Sequence, residues 1–265
     1  MSKKKVQNSI DNIFQEIFTS ITSVKNYELA LENNEAVELL TFFTQHILDI
    51  SNYHILYKAT FIPAANKTVA RVKREYLNSK YKQFISAGEI DLKESLYETI
   101  RLGYVGLSHK IEGFTKGIKR NNALLKKAYE IEGDFVLTDY LLDTLSIDLL
   151  NPINVPRLNK VRIISNAVKH NNGYPQMSNK EKDNIKIHMS WLDMDSKINI
   201  DPKNFINDIK FTIDFFEFVN RLVHTFTMLY ITHQNVGTVS DKSLSMRAEL
   251  ITKFKTVVNL YTTLR

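Results

Sequence analysis

Apolar residues in this chain recur at every third or fourth position through runs far longer than any strand. From Val6 through Ile10, Ile13, Phe14, Ile17, Phe18 and Ile21 to Val24 they mark one side of a helix. Val37, Leu40, Phe43, Ile47, Ile50, Tyr53 and Tyr57 mark a second, opened by Asn33 and Asn34 as caps with Glu35 in the first turn. Only 8 glycines and 5 prolines punctuate 265 residues. A turn-rich β-sandwich is therefore excluded, and long helices are the accessible solution.

The remaining elements follow from the same signals. Pro63, within Ile62 to Asn66, interrupts the pattern, and a third helix is expected from about Thr68 to Phe84. A turn at Ser86 to Glu89 leads to a helix from about Leu92 to Tyr129, with a bend expected near Gly113 to Gly117 because paired glycines weaken a helix interior. Thr138 caps a short helix to Ile147. Pro156 suits the first position of the next helix, which Asn171, Asn172 and Gly173 stop. Ile185, Ile187, Met189 and Trp191 alternate with polar residues, as do Ile198 and Ile200 after a turn at Asp193 to Ser196. That pattern predicts a small β-hairpin near 185–200. Asp201 and Pro202 open a helix from Lys203 to about His233, and the last helix covers roughly Ser245 to Leu264. The expected fold is all-α, a helical bundle with one inserted hairpin. It forms a single domain over 1–265, with an N-terminal layer at 1–85, a core at 92–233 and a C-terminal helix at 245–264.

The absence of cysteine excludes disulfides and thiolate metal sites and suits a reducing cytosol. Met1 to Lys5 is basic, but Gln7, Asn8, Asp11 and Asn12 prevent a signal-peptide apolar run from following. Leu222 to Ile231 is too short to span a bilayer and contains His224 and Thr225. These features predict a soluble, cytoplasmic chain that does not enter a membrane. The formal net charge of +6 favours a polyanionic partner such as nucleic acid. No phosphate-binding glycine loop, zinc-protease helix or nucleophile elbow is present. His46 and His54 lie two turns apart on one helix, too far to share an ion, so no metal or cofactor is expected. His109 reads as a partly buried structural histidine.

One helix concentrates the chemistry. At about 100° per residue, Val161, Ile163, Ile164, Ala167 and Val168 occupy one face, and Arg162, Asn166, Lys169 and His170 fall in an arc of about 100° on the other. An imidazole can take or give the proton of a ribose 2′-hydroxyl, and a guanidinium can hold a phosphate. At the last turn the helix dipole favours a protonated His170, while Lys169 opposes it.

Ser165-Asn166-Ala167-Val168-Lys169-His170, followed by Asn171, Asn172 and Gly173, resembles the HEPN domains of prokaryotic defence and toxin–antitoxin proteins. The motif of that family is an arginine, four to six residues, then histidine, commonly with asparagine after the arginine. The resemblance implies a metal-independent endoribonuclease without a cofactor, working as a homodimer whose motif helices face one cleft. It also implies an antitoxin or other defence-system partner protein, and it places the HEPN-like core at 92–233. Asn166 and His170 match the motif. The arginine position is Ser165, and serine cannot replace a permanent cation at a phosphate. Arg162 lies one turn earlier on nearly the side of Asn166, with one residue more before His170 than the family's spacing has. The expected catalytic set is therefore His170, Asn166 and Arg162. Lys169 is expected to bind RNA, as are Arg71, Lys73 and Arg74 of the third helix, which share that helix with Tyr76 and Tyr81, whose rings can stack on bases. Two other functions fit the same residues: a non-catalytic HEPN-like subunit that dimerises or docks a partner, and an unrelated helical interaction protein.

Overall fold

A computed structural model of the chain describes residues 2–23, 34–80, 82, 92–120, 155–175, 193, 195–234 and 241–264. The elements among them are helical: α1 (Lys3–Thr22), α2 (Asn34–Leu56), a π-helical turn (Tyr57–Phe61), α3 (Ile62–Asn78), α4 (Glu94–Arg120), α5 (Pro156–His170), α6 (Pro202–Gln234) and α7 (Asp241–Leu264). The fold is all-α. No helix among the described residues is long and apolar enough to cross a membrane.

The chain divides into two compact units, one of Met1–Gln45, Phe114–Pro152 and Phe216–Arg265, the other of His46–Gly113 and Ile153–Phe215. In the first, α1 lies against α7. Val6, Ile10, Phe14 and Ile17 of α1 are buried, as are Leu250, Phe254, Val257, Val258 and Tyr261 of α7. Spacing of three and four residues is what keeps each set on one stripe. Phe18 is exposed, so the buried stripe of α1 is narrower than its apolar pattern. Lys253 holds the rim of this pair through Glu16 at 3.2 Å and Glu249 at 2.9 Å. Phe114 stacks on Phe216 with ring centroids 3.9 Å apart.

In the second unit, Ile100, Tyr104, Leu107 and Ile111 form the buried face of α4, and Leu158, Val161 and Ile164 that of α5. The Phe205 ring meets Tyr57 at 5.0 Å and Tyr104 at 4.8 Å, and the Tyr53 hydroxyl donates to the Gly103 carbonyl at 2.7 Å. Asp201 caps α6 as its sequence indicates, its Oδ1 accepting from the Lys203 amide at 2.7 Å.

Several expectations are corrected. Pro63 does not interrupt the chain: α2 continues through the π-helical turn into α3, with the Ile62 amide bonding to the Tyr57 carbonyl. A proline lacks its own N–H and crowds the preceding turn, and one wider turn absorbs both problems. α4 is helical through both Gly113 and Gly117, and a Cβ at 117 would collide with the Phe42 ring. Val37 and Leu40 are exposed, and the buried line of α2 is Leu39, Phe43 and Ile50. His109 is exposed as well. No strand occurs among the described residues. Ile198 and Ile200 keep the expected alternation, both buried, but the Ile198 amide bonds to the Gly173 carbonyl at 2.9 Å rather than to a hairpin partner. The first half of the expected hairpin, the turn at 86–89 and the helix at 138–147 lie outside the described residues.

Burial lowers the pKa of His224, and it is also the leading cause of lowered values at His46 and His54. A histidine held below its ordinary value stabilises the fold above the unfolded pKa, and the contribution is lost as pH falls towards the folded one. Thermal stability is therefore expected to drop on acidification from about pH 7.5 to about pH 5, with a shallower slope in a His224→Gln variant. Parallel melting curves for the two proteins would count against this.

Candidate functional site

α5 begins at Pro156, as expected, and is closed by Asn172 and Gly173, whose φ values of 50° and 85° no helix can continue. The amides of Asn171 and Gly173 both reach the Ala167 carbonyl at 3.0 Å. Leu158, Val161, Ile163, Ile164, Ser165 and Ala167 are buried, which covers most of the circumference of the helix. The part left to solvent is the polar arc. Asn166, Lys169 and His170 are exposed and Arg162 is half-exposed. The structure thus brings the expected catalytic set and Lys169 onto one accessible strip of one helix.

Within that strip Arg162 is oriented, its Nε donating to Asn159 Oδ1 at 2.9 Å. The other expected RNA contacts lie on α3, where Arg71, Lys73 and Arg74 are all exposed and Ala65 is buried. Arg71 forms an ion pair with Glu75 at 3.8 Å along the helix surface, a pairing of small energetic weight.

The position of the family's motif arginine is where sequence and structure part. Ser165 is 0% exposed, and its Oγ has no hydrogen-bond partner among the described residues. The site faces the core, so no cation there could meet a phosphate in solvent. A Ser165→Arg substitution is expected to lower stability by several kcal/mol through burial of an unpaired charge and overpacking, without gain of activity. Ser165→Ala should be neutral or stabilising by up to about 1 kcal/mol, since it removes an unsatisfied hydroxyl. Denaturant midpoints of the two variants test the pair. A stably folded Ser165→Arg protein would show that the position can turn outward.

Two buried polar centres in this unit went unread in the sequence. Asp208, 1% exposed, accepts from Tyr104 at 2.6 Å, Lys160 at 2.6 Å and Arg157 Nε at 2.9 Å. Burial, followed by the neighbouring Asp208 charge, raises the Tyr104 hydroxyl well above its ordinary range and keeps it a donor. Arg157 also lies over the Phe211 ring at 4.7 Å. Arg157 is thereby committed to anchoring the start of α5, which leaves Arg162 as the arginine of the exposed strip. The second centre is Arg101, buried between acidic and amide groups. The available sequence signal was Glu98 three residues before Arg101, the spacing of a helical ion pair. Tyr174 was missed too. It lies just beyond α5 and is 39% exposed; its amide donates to the Asn171 carbonyl at 2.9 Å, and its carbonyl accepts from the Asn171 side-chain Nδ2 at 3.1 Å.

Comparison with protein-family models, curated proteins and solved structures finds no match to this chain.

Proposed function

We propose that this chain is a HEPN-like RNA-directed protein that cleaves RNA without a metal ion through the exposed strip of α5. The observation that carries the reading is the arrangement of α5. It is buried on most sides yet leaves Arg162, Asn166, Lys169 and His170 together at its accessible face. In the proposed reaction the His170 imidazole takes the proton of a ribose 2′-hydroxyl. The 2′-oxygen attacks the adjacent phosphorus, and the bond from phosphorus to the 5′-oxygen breaks. The departing oxygen takes a proton from the imidazolium of a second copy, leaving a 2′,3′-cyclic phosphate and a 5′-hydroxyl. Arg162 and Lys169 stabilise charge on the phosphate oxygens. The exposed Tyr174 ring offers a face on which an unpaired base can stack.

A homodimer with the two α5 strips facing one cleft completes this scheme, and a cytoplasmic defence or toxin module with a partner protein is its setting. The second reading is a non-catalytic HEPN-like subunit that dimerises or docks a partner, and buried Ser165 favours it, since the family's arginine position offers no cation. Incubating the purified chain with single-stranded RNA in excess chelator separates the two. Cyclic-phosphate ends that disappear in His170→Ala support the first. Intact RNA with a concentration-dependent dimer in sedimentation supports the second.

A further inference from the structure

Arg101 is 2% exposed, and its side chain is the largest of the fully buried ones among the described residues. Each of its N–H groups has an acceptor. Nε donates to Glu98 at 2.9 Å, Nη2 to Glu98 at 2.7 Å and to Glu94, and Nη1 to Asn199 Oδ1 at 3.0 Å and to the Ile198 carbonyl at 3.4 Å. Lys197 approaches Glu94 at 3.4 Å, so two cations face two carboxylates and the cluster is neutral. Burying the guanidinium against these two partly exposed carboxylates is a weak source of net stability, because desolvation offsets most of the attraction. Its geometry is what distinguishes it.

The stem of Arg101 lies beneath the residue that ends α5. A Cβ on Gly173 would stand 3.1 Å from Arg101 Cδ, tighter than ordinary packing allows. At φ 85° Gly173 turns its amide back to the Ala167 carbonyl at 3.0 Å and offers its own carbonyl to the Ile198 amide at 2.9 Å. Ile198, in turn, is held by the Arg101 guanidinium. The last turn of α5, with Lys169 and His170, is therefore closed by a loop that Arg101 fastens from below and from the side.

We propose that Arg101 is a positioning residue for Lys169 and His170: it sets where α5 ends and holds that final turn in register. The catalytic part of this inference rests on the ribonuclease reading above, while the structural part does not. Arg101→Lys in the full chain keeps the charge but loses the planar fork and two donors. Amide exchange at Asn171, Gly173 and Ile198 is expected to accelerate about tenfold or more, with amides of Val161 to Ile164 unchanged. RNA cleavage is expected to lose about tenfold or more in kcat at unchanged KM, as for a misplaced catalytic group. Asn199→Ala, an exposed-side change, should move the same amides in the same direction by less, and it decides the matter if Arg101→Lys fails to fold. Unchanged exchange at those amides, uniform acceleration throughout the unit, or unchanged kcat in an active protein each overturns the proposal. If the wild-type chain cleaves no RNA, the ribonuclease reading falls, and exchange alone decides whether Arg101 sets the helix end.

Discussion

His170→Ala is expected to lower kcat for RNA cleavage by about 10²–10⁴-fold, the usual contribution of a positioned general acid or base. Three features set this size. The imidazole is exposed at the end of α5, so its removal leaves no cavity in the core. His170 is the one histidine of α5, so no second imidazole on that helix can take over its role. RNA affinity should change little, since binding draws on the cations of α5 and α3 rather than on one imidazole. Single-turnover cleavage and filter binding measure the two quantities. Full activity in the alanine variant would remove the catalytic reading and leave RNA binding or assembly. Arg162→Ala should also weaken cleavage, by about 10²-fold, the scale for removing one donor to transition-state charge.

Asp208→Ala is expected to destabilise the protein by about 3–5 kcal/mol, the cost of stranding a buried charge. Lys160 loses its carboxylate at 2.6 Å, Arg157 its anchor at 2.9 Å and Tyr104 its acceptor at 2.6 Å. The Thr212 hydroxyl bonds to the backbone carbonyl of Asp208 at 2.9 Å, so that contact survives the change. Asp208→Asn keeps an acceptor and should lie between the two. Equilibrium denaturation provides the comparison. A loss under about 1 kcal/mol in the alanine variant would mean that Lys160 and Arg157 reach solvent on their own.

The exposed strip of α5 was legible in the sequence because the signals for it are local. Pro156 supplies the backbone angle for a first turn, Asn172 and Gly173 adopt the left-handed angles that end a helix, and period 3.6 assigns the sides between them. The same locality explains Asp201 as a cap and the buried line of α1. It also explains the misreading at Pro63. A missing N–H is a local fact, but whether a helix breaks or widens by one turn depends on the packing on either side of it.

Burial of polar groups was not legible, since it depends on partners far along the chain. Arg101 meets Asn199 across 98 positions, and Asp208 meets Arg157 across 51. At about 100° per residue Ser165 falls between the apolar face and the polar arc, where the helix itself is indifferent. The elements packed around α5 decided that this margin is core. Sequence alone therefore determined the all-α fold, the ends of α5 and the members of its polar arc, each governed by backbone geometry within a few residues. Tertiary structure decided that Arg157 is tied to Asp208, that position 165 is core, and that Arg101 meets the loop closing the turn that bears His170, because desolvation and pairing of charges are settled only when distant segments meet.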